Sequence, residues 1–449
     1  MKISVIGAGY VGLVTSVCLA EKGHQVICVD MDQEKVNLIN NGKPPIFEKG
    51  LEELLKKNIH KNLQATTNLP EAVLSTQITF IAVGTPFDGH KIDLSQVEQV
   101  ARHIGQVLKE KSTYHLVVVK STVVPCTTDE TVGPILEASS SKRLGKDFAL
   151  GMNPEFLTEG VAINDFMFPD RIVLGANDQT SLSLLEEVYK PFEGANIFST
   201  NIKTAEMIKY ASNALLATMI SFSNEFGNLC AALGDIDVVD VMKGVHLSNY
   251  LSTPLPTGER FVAPITSFLL PGCGFGGSCL PKDVNALITH GKNAGRSMEL
   301  LQAVIHINEQ QHQEIISILK SHFPSLDGIR VAILGLAFKP DTSDMRESPA
   351  IPVIKALLEE KAMVQAYDPV ANQEAKKLLG DRITYCENLD QVVNNIQAVV
   401  LITRWEEFRK IPELLANIKP PPLFVDGRRM LDRSSLPVYE GIGLRVSGR

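Results

Sequence analysis

MKISVIGAGYVG, residues 1–12, opens as a short β-branched strand over Ile3–Ile6 and then turns on Gly7, Gly9 and Gly12. In a GxGxxG turn the first glycine permits the tight bend, the second lets backbone approach a pyrophosphate, and the third packs helix on strand. TSVCLAEKG (15–23) follows with helical character, and QVICVD (25–30) is a second strand that ends at Asp30, eighteen residues after Gly12. The stretch is a βαβ unit. A carboxylate at the end of its second strand binds ribose hydroxyls and repels a 2′-phosphate, which favours NAD over NADP. The alternative is a turn shaped by glycine alone with Asp30 as a solvated strand end; the strand-turn-helix context favours the dinucleotide.

The rest of the chain fits an enzyme of several domains. Its 449 residues exceed what one hydrophobic core usually organises, and 44% apolar content suits soluble globular domains. A formal net charge of −8 argues against a nucleic-acid binder, which concentrates positive charge on one face. The strand at Met1–Ile6 leaves no place for a signal peptide, and LVVVKSTVV is interrupted by Lys120 before it could span a membrane. Seven scattered cysteines form neither a disulfide framework nor zinc spacing, so a reducing cytoplasm is expected.

Buried-strand signals recur at ITFIAVGTP (78–86) and HLVVVKSTVV (115–124), predicting a doubly wound parallel sheet over about the first 200 residues. From Thr204 to Gly234 apolar residues recur at helical spacing with no proline, predicting a long central helix. Residues 248–277 are rich in Pro, Gly, Ser and Thr and read as loop, with helix resuming from Val284 to Leu319. IRVAILGLAF (329–338) then repeats the opening theme of strand and glycine turn, and ALLEEKAMVQAYDP (356–369) parallels CLAEKGHQVICVDMD. The fold class is α/β, two Rossmann-like doubly wound domains joined by a long central helix, divided as 1–200, 201–318 and 319–449.

Chemistry gathers in several places outside the opening turn. Cys279 lies in GFGGSCLPKD (274–283), among glycines that admit a substrate and just before Lys282 and Asp283; a structural thiol is the alternative, and Cys273 is a rival. Lys209 and Asn213 stand four apart on the central helix, hence on one face, where ammonium and amide could stabilise an oxyanion or simply snorkel and satisfy the core. In NPEFLTEG (153–160), Asn153 as N-cap and Pro154 as first residue predict a short helix carrying Glu155 and Glu159, candidates for a base or a water-orienting group, or ordinary dipole partners. Thr122 sits at a strand end, where doubly wound sheets hold ligands.

Together GAGYVG, VGTP (83–86), STVVP (121–125), NPEFLTEG, the Lys209/Asn213 pair, GFGGSCLPKD and AFKPDTSDMRESP (337–349) resemble the UDP-glucose/GDP-mannose dehydrogenase family along nearly the whole chain. The resemblance implies an N-terminal NAD domain, a helical segment that pairs two copies as a homodimer, and a C-terminal domain for a UDP-sugar, with no metal, nucleic acid or membrane partner. It implies that Cys279 is the nucleophile, Lys209 and Asn213 the oxyanion stabilisers, Asp283 a partner in water activation, and Glu155, Glu159 and Thr122 parts of the hydride and hydrolysis site. For NAD it implies Gly7, Gly9, Tyr10, Val11, Gly12, Asp30, Lys35, Thr85, Pro86, Thr122, Glu159 and Arg346. For the sugar nucleotide it implies Glu155, Phe156, Leu157, Lys209, Asn213, Arg260, Gly276, Phe338, Lys339 and Arg429. The implied reaction oxidises a C6 alcohol to a uronate through a thiohemiacetal and thioester on Cys279.

TRWEEF (403–408) and DGRRMLD (426–432) resemble the UDP-glucose branch. LPKD and LSNYL (247–251) also suit the GDP-mannose branch, and TPLPTGERFVAPITSFLLPGC (253–273) lacks the RIG triplet of the former. UDP-glucose is the favoured substrate, with GDP-mannose or another UDP-sugar as the alternative. A two-electron hydroxyacid dehydrogenase and a non-catalytic nucleotide-sugar sensor are the rival classes.

Overall fold

The computed structural model describes residues 1–445, which form two compact units, the first Met1–Ser212 and the second beginning at Asn213. In the first, strands β1 (Lys2–Ile6), β2 (Gln25–Val29), β3 (Leu63–Thr66), β4 (Ile78–Ile81), β5 (His115–Val119), β6 (Phe148–Met152), β7 (Arg171–Ala176) and β8 (Asn196–Thr200) make one sheet in the order β3-β2-β1-β4-β5-β6-β7-β8. β1 lies between β2 and β4, pairing Ile3 with Val26 on one side and Ile78 on the other. Every residue of β4, β5 and β6 is buried, because helices cover both faces of a parallel sheet. That is why these strands read as largely apolar runs; the two polar side chains among them, Thr79 and His115, hydrogen-bond each other at 2.8 Å. Each fully buried Val, Ile or Leu in them contributes about 1.5–3 kcal/mol of transfer free energy.

The expected parallel sheet holds from β3 through β6, but β7 runs antiparallel to β6 and pairs in parallel with β8. The reversal follows from the connection: β6 and β7 are joined by 153–170, which holds one short helix, Ala162–Met167, where a parallel crossover would need one long enough to cross the sheet.

In the second unit, β9 (Ser252–Pro254) and β10 (Arg260–Val262) form a small antiparallel hairpin inside the segment read as loop. The strands β11 (Arg330–Leu334), β12 (Met363–Tyr367), β13 (Thr384–Tyr385), β14 (Ala398–Leu401), β15 (Leu423–Asp426) and β16 (Tyr439–Gly441) follow. They build an all-parallel sheet, β13-β12-β11-β14-β15-β16, with an apolar cluster on each face. The same strand order, 3-2-1-4-5-6, therefore occurs twice.

The central helix spans Ile202–Leu233, as its periodicity predicts, and the boundary between the units falls inside it. The helix expected over Val284–Leu319 is two helices, Leu280–Asn293 and Glu299–His322. Gly295 and Met298 adopt positive φ between them, ending one and restarting the next. Among the described residues no helix is long and apolar enough to cross a membrane, and no group of three His, Cys, Asp or Glu could hold a metal ion.

Candidate functional site

The first unit presents a cradle where strand order reverses, between the ends of β1 and β4. A Cβ on Gly12 would lie 1.9 Å from the Gly7 carbonyl oxygen, so only glycine lets the Tyr10–Glu21 helix start this close to β1. A Cβ on Gly9 would meet nothing within 4 Å; the space beside it is open, as the approach of a pyrophosphate requires. A cavity of about 1130 Å³ adjoins the turn, lined among others by Gly7, Gly9, Asp30, Asp32, Lys35 and Val83. The donor set and the open space fit a dinucleotide.

Asp30 is partly shielded, its Oδ2 accepting from the Ala8 amide at 2.7 Å and its Oδ1 from the Asp32 amide at 3.0 Å, with the Lys35 ammonium 3.9 Å away. Tyr10 donates to Glu48, whose carboxylate also accepts from the Gly160 and Ala162 amides at 2.7 and 2.9 Å. Burial and the neighbouring Glu48 push the Tyr10 phenol far above its ordinary pKa, so it remains a donor. Val11 is half-buried in the first helical turn. The buried Thr85 donates to the Thr122 carbonyl at 2.8 Å, tying the segment after β4 to the segment after β5, while Pro86 beside it is exposed.

The segment carrying Glu155 and Glu159 is not the short helix that NPEFLTEG predicts. Residues 153–158 are irregular and the helix begins at Ala162. Asn153 continues β6 instead of capping, its amide bonding the Val119 carbonyl at 3.0 Å and its side chain taken up by Lys120, Tyr189 and Val173. The irregular backbone turns Glu155 inward, where Lys209 lies 3.0 Å from its carboxylate and the Leu157 amide donates at 2.7 Å. Burial opposes the charge of Glu155, but Lys209, that amide and Lys120 outweigh it and hold the pKa below the usual carboxylate value. The Phe156 ring carries the Arg171 guanidinium at 4.0 Å and the Lys209 ammonium at 5.5 Å. Leu157 and Glu159 are half-buried on the same segment.

In the second unit Cys279 is exposed at the N-cap of the Leu280–Asn293 helix, a place that favours negative charge, with the Ser278 hydroxyl 3.6 Å from its sulfur. Its rival Cys273 is buried, and desolvation raises that thiol's pKa, as for an inert core residue. Asp283, one helical turn from Cys279, is buried and accepts from Asn213 at 2.6 Å and Lys282 at 2.5 Å. The glycine loop packs on the loop after β11: the Gly277 amide donates to the Arg346 carbonyl at 2.9 Å, and a Cβ on Gly276 would lie 2.1 Å from the Glu347 oxygen. Phe338 closes over Gly277, with the Lys339 ammonium 5.8 Å from the centre of its ring.

Three arginines of the same unit make internal bonds. Arg346 pairs with Asp344 at 2.8 Å, Arg260 donates to the Leu247 and Ser252 carbonyls and braces the β9–β10 hairpin, and Arg429 forms a paired hydrogen bond with Asp237 at 2.7 and 2.9 Å. Sequence reasoning passed over Glu48, Lys120 and Arg428. Arg428 donates to the Gly274 carbonyl at 2.8 Å and fixes the start of the thiol loop. Lys120 had a signal, a charge inside an otherwise apolar strand run; Glu48 had none.

Three models of one family match the chain: the UDP-glucose/GDP-mannose dehydrogenase family NAD binding domain over residues 1–193, its central domain over 203–310, and its UDP binding domain over 332–433. A UDP-glucose 6-dehydrogenase of Haloferax volcanii is 40% identical over 447 residues, covering 98% of this chain and 100% of the relative. The chain belongs to this family. Within the family it is also 38% identical over 451 residues to a GDP-mannose 6-dehydrogenase of Pseudomonas syringae pv. syringae, at 96% coverage of this chain and 95% of the relative. A solved UDP-glucose dehydrogenase from Pyrobaculum islandicum superposes with a TM-score of 0.89 at 38% identity, covering 99% of this chain and 98% of that one. NAD is the cofactor, and the first unit contains the family's domain for it.

Proposed function

We propose that this protein is a UDP-glucose 6-dehydrogenase that carries its substrate from alcohol to uronate on one thiol, Cys279. The observation that carries the reading is the exposed Cys279 at a helix N-terminus, one turn from a buried Asp283 held by Asn213 and Lys282. A dehydrogenase that stops at a ketone or aldehyde has no use for such a thiol. Similarity to the Haloferax volcanii and Pyrobaculum islandicum proteins supports UDP-glucose; the GDP-mannose relative at nearly equal identity makes GDP-mannose the second reading.

Bound NAD supplies the hydride acceptor, once for each of the two oxidations. Lys209 and Asn213 hydrogen-bond the C6 oxygen, and Glu155, kept ionised by Lys209, takes the proton that leaves the hydroxyl. The Cys279 sulfur adds to the resulting aldehyde, forming a C–S bond that prevents its escape as the C=O π bond opens and the thiol proton passes to the oxygen; loss of a second hydride from that carbon, together with the hydroxyl proton, leaves a thioester. Asp283, with Glu155 or Glu159, orients the water that adds to the thioester carbonyl, breaking the C–S bond and returning the thiol. The same reading assigns Thr122 to the hydride and hydrolysis chemistry and Leu157 to the sugar nucleotide.

The same reading gives NAD to Gly7, Gly9, Tyr10, Val11, Gly12, Asp30, Lys35, Thr85, Pro86 and Arg346, and the sugar nucleotide to Phe156, Arg260, Gly276, Phe338, Lys339 and Arg429. It assigns residues 1–200 to NAD, 201–318 to the central segment and 319–449 to the nucleotide sugar, in a cytoplasmic homodimer. An exposed stripe on the central helix, Leu215, Phe222, Phe226, Leu229 and Leu233, supports the pairing of two copies.

NADH formation against a panel of UDP- and GDP-sugars tests the proposal. Turnover greatest with UDP-glucose is expected; turnover with GDP-mannose alone would transfer the assignment to that sugar, and no turnover with any would leave a sensor.

A further inference from the structure

The buried ammonium of Lys120 has no role in the mechanism above. It follows β5 directly, its side chain is almost fully buried, and its Nζ donates at 2.8 Å to a neutral acceptor, Asn153 Oδ1, while lying 5.5 Å from the centre of the Phe166 ring. Burying an ammonium against an amide is costly, and an apolar residue of the same length would be cheaper unless the charge is used. Asn153 is the first residue of the irregular segment that delivers Glu155, and the Tyr189 hydroxyl meets the same Oδ1. Lys120 therefore anchors the root of that segment and also places a cation within electrostatic reach of the Glu155 carboxylate.

We propose that Lys120 is a positioning residue for the carbonyl chemistry assigned to Glu155 and Lys209, acting in its protonated form to keep Glu155 ionised and its segment in place. The inference rests on the reading given under Proposed function. With Lys120 charged, the buried group of Lys120, Lys209 and Glu155 carries one net positive charge, suited to an oxygen that becomes anionic. With Lys120 neutral that surplus is gone. Burial lowers the Lys120 pKa to about 8; Glu155 pulls it up and Lys209 down. The Tyr189 phenol, which shares the Asn153 Oδ1 acceptor with Lys120, is held protonated by burial. Activity is therefore expected to fall as pH rises through about 8.

The test is the pH profile of kcat, with NAD affinity as a control for folding, in Lys120→Met, Lys120→Arg and Asn153→Asp. Lys120→Met should bind NAD within about twofold of the parent, lose about 10- to 100-fold in kcat as expected for a group that orients a reacting residue, move the acid limb to higher pH, and lack the alkaline fall. Lys120→Arg should restore the acid limb and carry activity to higher pH, because guanidinium does not titrate there. Asn153→Asp gives Lys120 an anionic partner, raises its pKa and should move the alkaline fall upward. A Lys120→Met enzyme with the parental profile and kcat within twofold overturns the proposal, as does an equal loss in the Met and Arg variants with neither limb displaced. If Lys120→Met does not fold, an alkaline fall left unmoved by Asn153→Asp overturns it. A parent protein that makes no NADH removes the reading beneath it; a working parent beside unmoved variants refutes Lys120 alone.

Discussion

The two Rossmann-like sheets open on the same device, a strand running into a glycine turn opposite an aspartate at the end of the next strand, and they use it for different ends. After β1, Asp30 accepts from the Ala8 and Asp32 amides and still lines a cavity, and the position of Gly9 is open. After β11, the matching aspartate, Asp368, is buried and consumed. It accepts from the amides of Leu336, Ala337, Val370 and Ala371 and from the Trp405 indole. Leu336 and Ala337 fill the place where the first turn leaves room, and the chain runs on as a loop to Ala350 before the next helix begins. One strand order can thus offer a dinucleotide cradle or close it, depending on whether small residues remain at the switch point and whether the carboxylate opposite still faces open space.

The comparison breaks most readily at Asp368. Asp368→Ala would orphan its five donors and should destabilise the second unit by about 3–5 kcal/mol, read by denaturant unfolding, while NAD affinity in the folded protein stays as it was. Gly9→Ala should do the reverse: stability within about 0.5 kcal/mol, since its Cβ meets nothing, but NAD affinity lower by roughly 100-fold, about 2.7 kcal/mol, because the methyl occupies the pyrophosphate's approach. Asp30→Ala should weaken NAD by about 1–2 kcal/mol and narrow the preference over NADP, measured by titration with both.

The units should also answer pH in opposite directions. In the first, burial raises the Glu206 pKa to about 7 despite amide bonds from Cys126 and Thr128, so its contribution is whole below the unfolded value of 4.5 and is lost as pH rises through about 7. In the second, burial opposes the charge of Asp237 but Arg429 prevails and lowers its pKa, so its contribution is whole above the unfolded value of 3.8 and is lost as pH falls through the lowered one. Hydrogen exchange in each unit across acid and mildly alkaline pH should show these opposite slopes.

Legibility in the sequence followed periodicity and spacing. Both Rossmann-like sheets and the central helix were readable because buried parallel strands are largely apolar runs and a helix of 32 residues repeats its face many times. The reversal of β7 was not, since strand direction depends on what the connection reaches. NPEFLTEG misled because Asn-Pro-Glu has the chemistry of a helix start, yet the Asn153 side chain is taken up by the strand layer, where Lys120 and Tyr189 outbid capping. Cys279 outranks Cys273 on exposure, which sequence does not contain. Glu48 sits in an ordinary loop, and its three donors come from segments far along the chain.

The central claim is that one thiol carries a four-electron oxidation, and product stoichiometry with UDP-glucose tests it most directly. NADH and sugar products counted to completion should give two NADH per uronate with no free aldehyde, and Cys279→Ser should lose uronate formation while binding NAD like the parent. One NADH per sugar with an aldehyde or ketone released, or full uronate production by Cys279→Ser, would contradict it.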